Sequence, residues 1–312
     1  MTRVLVTGGC GFVGSNLVAT LQRAGGFEIV VLDDESLGSR ANLQDFSGTF
    51  LKGDIADRGL VRRALADVNV VVHLAAHTRV IESIETPEKT FHANVAGTFG
   101  LLEECRRAGI RRFVNASTGG AIVGDVVPPV TEEFPPRPLS PYGASKLATE
   151  GLCSAYTASY GMACVSLRFS NIYGPGSLHK GSVVAHFLKQ VLALRPLIVY
   201  GDGTQQRDYL FIDDLVEGLV RVLKSDATGT FQLGSGKGTP LNELIAIIGR
   251  VTGRSLDVRY EAARTGEIHS TWNDTAKARA AFGFDPRTSL ADGIARTWDW
   301  FRAQQADGRP LG

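Results

Sequence analysis

Short apolar runs alternate with longer amphipathic segments through the first half of this chain, and no other feature constrains its fold as strongly. The runs that we predict to be strands cover residues 4–7, 29–32, 70–74, 113–116 and 165–169. Near-continuous apolar strands separated by helices are typical of a parallel sheet that helices cover on both faces. We therefore predict an α/β fold with a doubly wound parallel sheet.

Composition and charge exclude several classes of protein. Lysine plus arginine total 33 and aspartate plus glutamate total 32 among 312 residues, so no basic excess exists to attract nucleic acid. The N-terminus lacks a signal-like pattern and no apolar run has membrane-spanning length, which predicts a cytoplasmic protein without membrane contact. The four cysteines lack paired metal-site spacing, so we predict reduced packing residues and no metal site.

A glycine-rich turn follows the first predicted strand and opens a helix, with Gly8, Gly11 and Gly14 at three-residue spacing. The first glycine of such a turn permits a tight reversal, the second lets amides approach a pyrophosphate, and the third allows close helix packing. The spacing differs from G-x-G-x-x-G, and a glycine turn that binds no ligand is the alternative. We predict a dinucleotide site that also includes Phe12 and Val13.

The second predicted strand ends at Asp33, where a carboxylate can accept hydrogen bonds from both hydroxyls of an adenosine ribose. A 2′-phosphate would be repelled there, and no lysine or arginine follows until Arg40. NAD is therefore favoured over NADP. Asp34 and Glu35 could instead be solvated loop charges.

A third strand precedes Asp54 and Ile55, which are placed to approach the adenine. Asp54 could equally be the N-cap of the helix that follows.

The later part of the chain is organised differently. From about residue 174 the alternation fades and glycines cluster. We predict an NAD-binding domain at 1–174, joined by a later segment at roughly 208–235, and a mainly substrate-binding part at 175–312. A proline-rich stretch at 126–141 predicts a surface loop that leads into a helix from Tyr142.

Tyr142 and Lys146 stand four residues apart at the start of that helix, which places both side chains on one face. An ammonium beside a phenol stabilises phenolate, and moving a tyrosine pKa from about 10 towards 7 requires roughly 4 kcal/mol of differential interaction. Such a base could remove a sugar hydroxyl proton while hydride leaves the same carbon. From the spacing alone, a solvent-facing pair is the alternative.

Together the motifs resemble the extended short-chain dehydrogenase/reductase family of nucleotide-sugar epimerases and dehydratases, over nearly the whole chain. The matching segments are TGGCGFVG at 7–14, VHLAA at 72–76, NVAGT at 94–98, SPYGASK at 140–146, LRFSNIYGP at 167–175 and GDGTQQRD at 201–208. The resemblance implies a Rossmann-type NAD-binding domain in which Tyr142 and Lys146 are catalytic and also contact the cofactor. It adds Leu74, Ala75, Ala76 and Asn94 to the cofactor site.

In this family a serine or threonine after the fifth strand shares the substrate hydroxyl with the tyrosine. The resemblance implies Ser117 or Thr118, with Thr118 preferred, although either hydroxyl could simply cap the strand end. Relatives that eliminate water across C5 and C6 carry an acidic pair at the next positions, where this chain has Gly119 and Gly120. This favours a 4-epimerase over a 4,6-dehydratase. Val123 stands where the family usually has tyrosine.

The resemblance also implies a sugar-nucleotide site containing Thr118, Asn171, Arg207, Arg264, Glu267 and Thr271. Asn171 is expected to hold the diphosphate, and the two arginines to pair with its phosphates, with surface ion pairs as the alternative. Glu267 is expected at the nucleoside ribose. Thr271 replaces a bulky tyrosine of galactose-type epimerases, which leaves room for a larger C2 substituent.

His179 and Lys180 form a separate hypothesis. Relatives acting on glucuronate often carry an arginine near Gly176 that binds the sugar carboxylate, and that arginine is absent here. His179 and Lys180 could substitute for it, or be loop or uracil-side residues.

The sequence thus predicts an NAD-dependent 4-epimerase of a UDP-hexose, of the UDP-glucose/UDP-galactose type, acting through a 4-keto intermediate. A UDP-glucuronate 4-epimerase or decarboxylase and a catalytically silent dinucleotide-sensing protein are the alternatives. The resemblance implies a homodimer that packs through helices near 90–107 and 142–160.

Overall fold

The computed structural model describes residues 1–263 and 268–307. The strands are β1 (Thr2–Thr7), β2 (Phe27–Asp33), β3 (Thr49–Lys52), β4 (Val70–His73), β5 (Arg112–Thr118), β6 (Ala163–Phe169), β7 (Asn171–Tyr173), β8 (Leu197–Tyr200), β9 (Gln206–Arg207), β10 (Tyr209–Phe211), β11 (Gly229–Leu233), β12 (Thr239–Pro240), β13 (Val258–Glu261) and β14 (Ser270–Thr271).

The α-helices are α1 (Phe12–Ala24), α2 (Arg58–Ala64), α3 (Val80–Glu85), α4 (Pro87–Thr90), α5 (Gly97–Arg107), α6 (Gly120–Val123), α7 (Pro141–Tyr160), α8 (Val183–Leu192), α9 (Ile212–Leu223), α10 (Leu241–Thr252), α11 (Ala276–Phe282) and α12 (Leu290–Ala306). A short 3₁₀ helix covers Arg40–Asn42, and a π-helical turn, Phe91–Ala96, joins α4 to α5.

Seven strands form the central sheet in the order β11-β6-β5-β4-β1-β2-β3, and every neighbouring pair is parallel. All five predicted strands lie in this sheet, which confirms the predicted α/β, doubly wound architecture. The chain runs outward from β1 through β2 and β3, then returns to place β4 on the other side of β1. Ligands of such sheets bind in the crevice at this switch point, beyond the carboxyl ends of the strands.

The two faces of the sheet are covered by separate hydrophobic cores. Val4 and Val6 of β1 belong to one core and Leu5, between them, to the other. This alternation follows from the two-residue repeat of a strand. The first core continues without interruption into α8, α10 and α12 of the second half, so the later elements pack directly on the sheet side that carries α1.

Some segments after β7 pack on or extend the central sheet, and others form small separate sheets. β11 adds the strand beside β6, and α9 packs against α1, whereas β8 pairs with β13 and β9 with β12 and β14 in small sheets of their own. The predicted division at residue 174, with a returning segment at 208–235, stays a prediction. Within the described ranges, no helix is both long and apolar enough to cross a membrane.

The proline-rich segment contains no regular helix or strand between α6 and α7. It is nevertheless anchored, because Val130 is fully buried and its amide donates to the Trp272 carbonyl at 2.8 Å. Arg137 N also donates to Ile122 O at 2.8 Å. The helix that follows begins at Pro141, with the Ser140 hydroxyl as its N-cap, so the predicted catalytic pair, Tyr142 and Lys146, lies on its first two turns.

Candidate active site

A cleft of about 990 Å³ opens at the switch point between β1 and β4. Among the residues that line it are nearly all the predicted cofactor contacts outside the catalytic pair: Gly8, Gly11, Phe12, Val13, Gly14, Asp33, Asp54, Ile55, Leu74, Ala75 and Ala76. These residues come from the ends of β1 to β4 and the start of α1. The structure therefore brings the sequence-predicted dinucleotide site together in one cavity.

The glycines of the first turn are explained by close backbone contacts. Gly8 has a φ of +70°, and a methyl group there would lie 2.6 Å from the backbone nitrogen of Ala75. A methyl group at Gly14 would collide with the Gly8 carbonyl oxygen. Gly11 is the N-cap of α1 and offers no side chain to the first amides of that helix. Because Gly11 has no side chain, nothing at that position blocks access to those amides, which fits a pyrophosphate at the N-terminus of α1.

Asp33 is buried at the end of β2 and presents its carboxylate to the cleft. One oxygen accepts from Cys10 N at 2.8 Å and the other from Glu35 N at 2.7 Å. Burial raises the pKa of Asp33, and the two amide hydrogen bonds oppose that rise. Each oxygen keeps a lone pair for a ribose hydroxyl, as the NAD prediction requires.

The nearby charges agree with a ribose that carries no 2′-phosphate. Arg40 stacks on the Phe50 ring, 4.9 Å from its centroid, and Lys52 pairs with Glu35 at 2.8 Å. Neither cation lines the cleft. Glu35 is thus an ion-paired loop residue, whereas Asp34 lines the cleft and accepts from Ser36.

The two alternatives for Asp54 are resolved by the start of α2. The N-cap of that helix is Asp57, whose carboxylate accepts from Leu60 N at 2.9 Å, so the N-cap interpretation of Asp54 was wrong. Asp54 lines the cleft and accepts from Ala56 N at 2.8 Å. It is available to a ligand at the adenine end.

Asn94 lies behind the cleft wall. Its amide oxygen accepts from His77 N at 2.8 Å, and its Nδ2 donates to His77 O and to the Ser145 hydroxyl. Because His77 lines the cleft, Asn94 positions that wall and links it to the helix bearing Tyr142. Direct contact of Asn94 with the cofactor stays a prediction.

His73, at the end of β4, supports the same wall. Its ring nitrogens lie 2.7 Å from the Thr7 hydroxyl and 2.8 Å from the Thr98 hydroxyl. Burial lowers the pKa of His73 to about 3, so the ring is neutral at physiological pH. It therefore acts as a neutral bridge between β1, β4 and α5.

A second cleft, of about 1240 Å³, adjoins the catalytic pair. Tyr142 and Thr118 both line it. Lys146 lies below, where its Nζ donates to the Ala116 carbonyl at 2.9 Å. The structure thus brings the predicted tyrosine, lysine and threonine together.

Burial shifts the pKa values of both Tyr142 and Lys146. Burial raises the pKa of Tyr142 to about 12, with the Thr118 hydrogen bond opposing the rise, and burial lowers the pKa of Lys146 to about 8. In the protein without a bound cofactor, burial dominates the pKa of Tyr142, and the lowering towards 7 stays a prediction for the NAD-bound enzyme.

Ser117, the other hydroxyl considered, points away from this cleft. Its Oγ donates to Glu150 Oε1 at 2.6 Å, and Glu150 accepts two further bonds from Arg168, at 2.9 and 2.8 Å. Both charged side chains are buried. This ion pair ties α7 to β5 and β6, and sequence reasoning missed it because no spacing motif relates residues 150 and 168.

The second cleft also contains the described residues of the predicted substrate site. Thr118, Asn171, Arg207 and Thr271 all line it. Asn171 Nδ2 donates to Asp208 O at 3.1 Å, and Arg207 Nη1 donates to the Gln206 and His269 carbonyls. Arg264 and Glu267 lie outside the described residues, so their roles stay predictions.

Asp208 and Asn273, which the prediction of the site omitted, organise the floor of this cleft. The buried Asp208 carboxylate accepts from Ser235 N and Oγ, both at 2.7 Å, from Gly236 N, and from Asn273 N at 3.1 Å. Burial raises the pKa of Asp208, and these hydrogen bonds oppose the rise. Asp208 thereby holds three separate segments in register.

Gly119 leaves room for Asn273. A methyl group at Gly119 would lie 2.8 Å from Asn273 Oδ1 and 3.1 Å from Gln232 Oε1. A methyl group at Gly120 would lie 3.3 Å from Thr271 Oγ1. The two glycines that distinguish this loop are therefore covered by side chains of the later segments. Val123 is buried in a small cluster with Ile122 and Val130.

The first cleft, at the switch point, is called the cofactor cleft below, and the second, beside Tyr142, the sugar cleft. His179 and Lys180 line the cofactor cleft and not the sugar cleft. Their suggested role as substitutes for a carboxylate-binding arginine is therefore not supported by their position. All four cysteines are buried free thiols. No cluster of three or more potential metal ligands occurs in the part of the chain that the structure describes.

The fold and the two clefts are those of a dinucleotide-dependent enzyme, and Tyr142 and Lys146 are its predicted reacting pair. The chain belongs to the NAD dependent epimerase/dehydratase family, whose model matches residues 4–234.

Three relatives illustrate the range of this family. A UDP-glucose 4-epimerase from Mycolicibacterium smegmatis is 37% identical over 310 residues, covering 96% of this chain and 98% of that protein. The crystal structure of UDP-glucose 4-epimerase from Thermus thermophilus with NAD is 38% identical, with a TM-score of 0.90 over 96% of this chain and 99% of that one. The structure of dTDP-glucose 4,6-dehydratase from Streptomyces venezuelae, with NAD bound, is 34% identical, with a TM-score of 0.92 over 100% of both chains.

Proposed function

We propose that this enzyme inverts C4 of a UDP-hexose of the UDP-glucose/UDP-galactose type, with NAD as its cofactor. The observation that carries the proposal is that the described residues of the second cleft include no free carboxylate. Among the described residues that line the sugar cleft, Asp208 is the sole carboxylate, and four donors already occupy it. Elimination across C5 and C6 needs an acid and a base beside those carbons, and Gly119 and Gly120 supply neither.

Tyr142 removes the proton from the C4 hydroxyl, while Thr118 holds the same oxygen through its hydroxyl. NAD, when bound, would accept the hydride and return it. Because burial holds the pKa of Tyr142 near 12, forming its phenolate requires positive charge close by. Lys146 is placed on the same helix face, one turn away, and anchors that end of the helix to Ala116.

Inversion requires the 4-keto sugar to expose its other face to the cofactor before it is reduced again. A tight grip on the diphosphate and a loose sugar pocket serve that requirement. Asn171 and Arg207 line the cleft and are candidate anchors for the diphosphate. Thr271 faces Gly120, so the cleft is bordered there by a small side chain and a glycine. We assign the anchoring of the diphosphate to Asn171, Arg207 and Arg264.

The choice of UDP rests on the names of the epimerase relatives. A homodimer is part of the proposal. Phe91, Phe99 and Tyr160 are exposed aromatic residues on or beside α5 and α7, and Tyr156 of α7 donates to Glu103 of α5 at 2.6 Å. Two such linked helices from each subunit would bury these rings, and multi-angle light scattering measures the resulting mass.

The test is a panel of UDP-glucose, UDP-N-acetylglucosamine, UDP-glucuronate and dTDP-glucose, followed by NMR. Inversion at C4 of a UDP-hexose, with NAD found by mass spectrometry in the purified protein, is the expected result. Tyr142→Phe should abolish turnover and keep the bound NAD. Carbon dioxide released from UDP-glucuronate, or a 4-keto-6-deoxy product as the main outcome, would contradict the proposal.

A further inference from the structure

The loop between β7 and α8 crosses from the sheet onto the start of α1. Asn16 Nδ2 of α1 donates to the Pro175 carbonyl at 3.2 Å. Gly176 has a φ of +92°, and a methyl group there would lie 3.4 Å from the Phe12 ring. The loop is folded on itself, since Ser177 Oγ donates to Gly174 O and Lys180 N donates to Ser177 O. These hydrogen bonds hold the loop in place as one wall of the cofactor cleft.

Lys180 reaches into the cleft from this wall. Its Nζ lies 5.2 Å from the centroid of the Phe12 ring, the first residue of α1. Among the described residues that line the cleft it is the sole lysine or arginine, and it forms no ion pair with a described carboxylate. Burial lowers the pKa of this ammonium, and no neighbouring anion compensates that effect.

The negative charge of the cofactor cleft favours a cation near the pyrophosphate of a bound dinucleotide. Asp33, Asp34 and Asp54 line its adenosine end, so the protein itself contributes negative charge there. A dinucleotide pyrophosphate adds two more negative charges, against a helix N-terminus equivalent to roughly half a positive charge. The Lys180 side chain is half-buried, and its ammonium has an aromatic ring but no carboxylate beside it among the described residues, so a phosphate oxygen would satisfy it.

We propose that Lys180 binds the pyrophosphate of NAD, opposite the Gly8–Gly14 turn. The assignment rests on the NAD dependence of the family and not on the choice of sugar. It gives the substrate-binding half of the chain a direct contact with the cofactor, because α8 begins three residues after Lys180.

Binding measurements on Lys180→Met, Lys180→Arg and the exposed control Lys224→Met test this assignment. Full-length protein freed of cofactor is titrated with NAD and, separately, with UDP by calorimetry, at low and high salt. Lys180→Met should raise the Kd for NAD by about tenfold or more, equivalent to about 1.4 kcal/mol, and should weaken its salt dependence. Lys180→Arg and Lys224→Met should stay near the parent protein, and UDP affinity should not change.

Three results would overturn the assignment: an unchanged Kd for NAD in Lys180→Met, a loss confined to UDP, or an equal loss for both ligands. NAD retained per protomer after gel filtration, measured by mass spectrometry, gives a second readout that does not depend on turnover. If NAD binding behaves as expected but no UDP-hexose is inverted at C4, the proposed reaction fails and the role of Lys180 stands.

Discussion

Ser117 and Thr118 are adjacent on β5 but point in opposite directions, since Thr118 lines the same cleft as Tyr142 whereas Ser117 Oγ donates to Glu150. The alternation of side chains along a strand produces this separation. The hydroxyl predicted to assist the chemistry and a hydroxyl that binds a buried ion pair therefore lie next to each other.

Thr118→Val and Ser117→Ala should separate these two roles. Loss of the Thr118 hydroxyl should lower kcat by about 10²-fold or more, because a hydrogen bond to the reacting oxygen disappears, with little change in thermal stability. Ser117→Ala should keep kcat and lower the free energy of unfolding by about 1.5–3 kcal/mol, as expected for a bond to a charged group. Turnover and urea unfolding measure both effects, and a larger kcat loss in Ser117→Ala would reverse the assignment.

Glu150→Gln should destabilise the protein strongly. The substitution leaves the buried Arg168 guanidinium without its counter-charge, which typically costs about 3–5 kcal/mol. Glu217→Gln is the matched control, because the Glu217–Arg221 pair is exposed and should contribute about 0–1 kcal/mol. Chemical denaturation compares the two, and equal small losses would show that the buried pair is not a significant support of α7.

The contact between Gly119 and Asn273 can be measured by a double-mutant cycle. Gly119→Ala should be destabilising because its methyl group would press on the Asn273 carboxamide, and Asn273→Ala in the same chain should relieve part of that loss. Gly120→Ala, whose nearest contact would be Thr271 at 3.3 Å, is the milder control. Additive losses in the cycle would mean that the two positions do not touch.

His73 should make the stability depend on pH. Its pKa is about 3 in the folded protein and near 6.5 when unfolded, so the unfolded chain binds more protons between these values. The free energy of unfolding should therefore fall as pH drops from 6.5 towards 3, by up to about 1.4 kcal/mol per pH unit from this residue.

His73→Gln removes that titration, so the difference between its unfolding free energy and that of the parent protein should change across this pH range. His92→Gln, at an exposed position, is the control for the substitution itself. A constant difference for His73→Gln would contradict the inferred neutral state.

Thr271→Tyr should narrow the substrate range. A tyrosine would fill the space beside Gly120 and the sugar, so turnover of UDP-N-acetylglucosamine should fall more than turnover of UDP-glucose. Thr271→Ser should affect both sugars equally, and kcat/KM for the two substrates is the measurement. An equal loss for both sugars in Thr271→Tyr would place the C2 substituent elsewhere.

Local patterns were sufficient for the sheet and for much of the cofactor site. Buried strands are recognised by their continuous apolar runs. The tight turn after β1 approaches another backbone segment and therefore has glycine at position 8. A ribose is bound through its hydroxyls, for which the carboxylate of Asp33 at the end of β2 is a suitable acceptor. Each of these requirements acts over a few residues, so it is visible in the sequence. The tyrosine–lysine pair is visible for the same reason, because one helical turn separates the two residues.

Contacts between distant segments were decided by the tertiary structure. Asn273 lies over Gly119 although 154 positions separate them, Lys180 enters the cofactor cleft and not the sugar cleft, and Asp57 caps α2 where Asp54 was considered. The pKa of Tyr142 also depends on its burial in the folded protein. The sequence by itself determined most strands of the sheet and predicted the NAD site and the Tyr142–Lys146 pair, whereas packing between distant segments decided the neighbours and charge states of those residues.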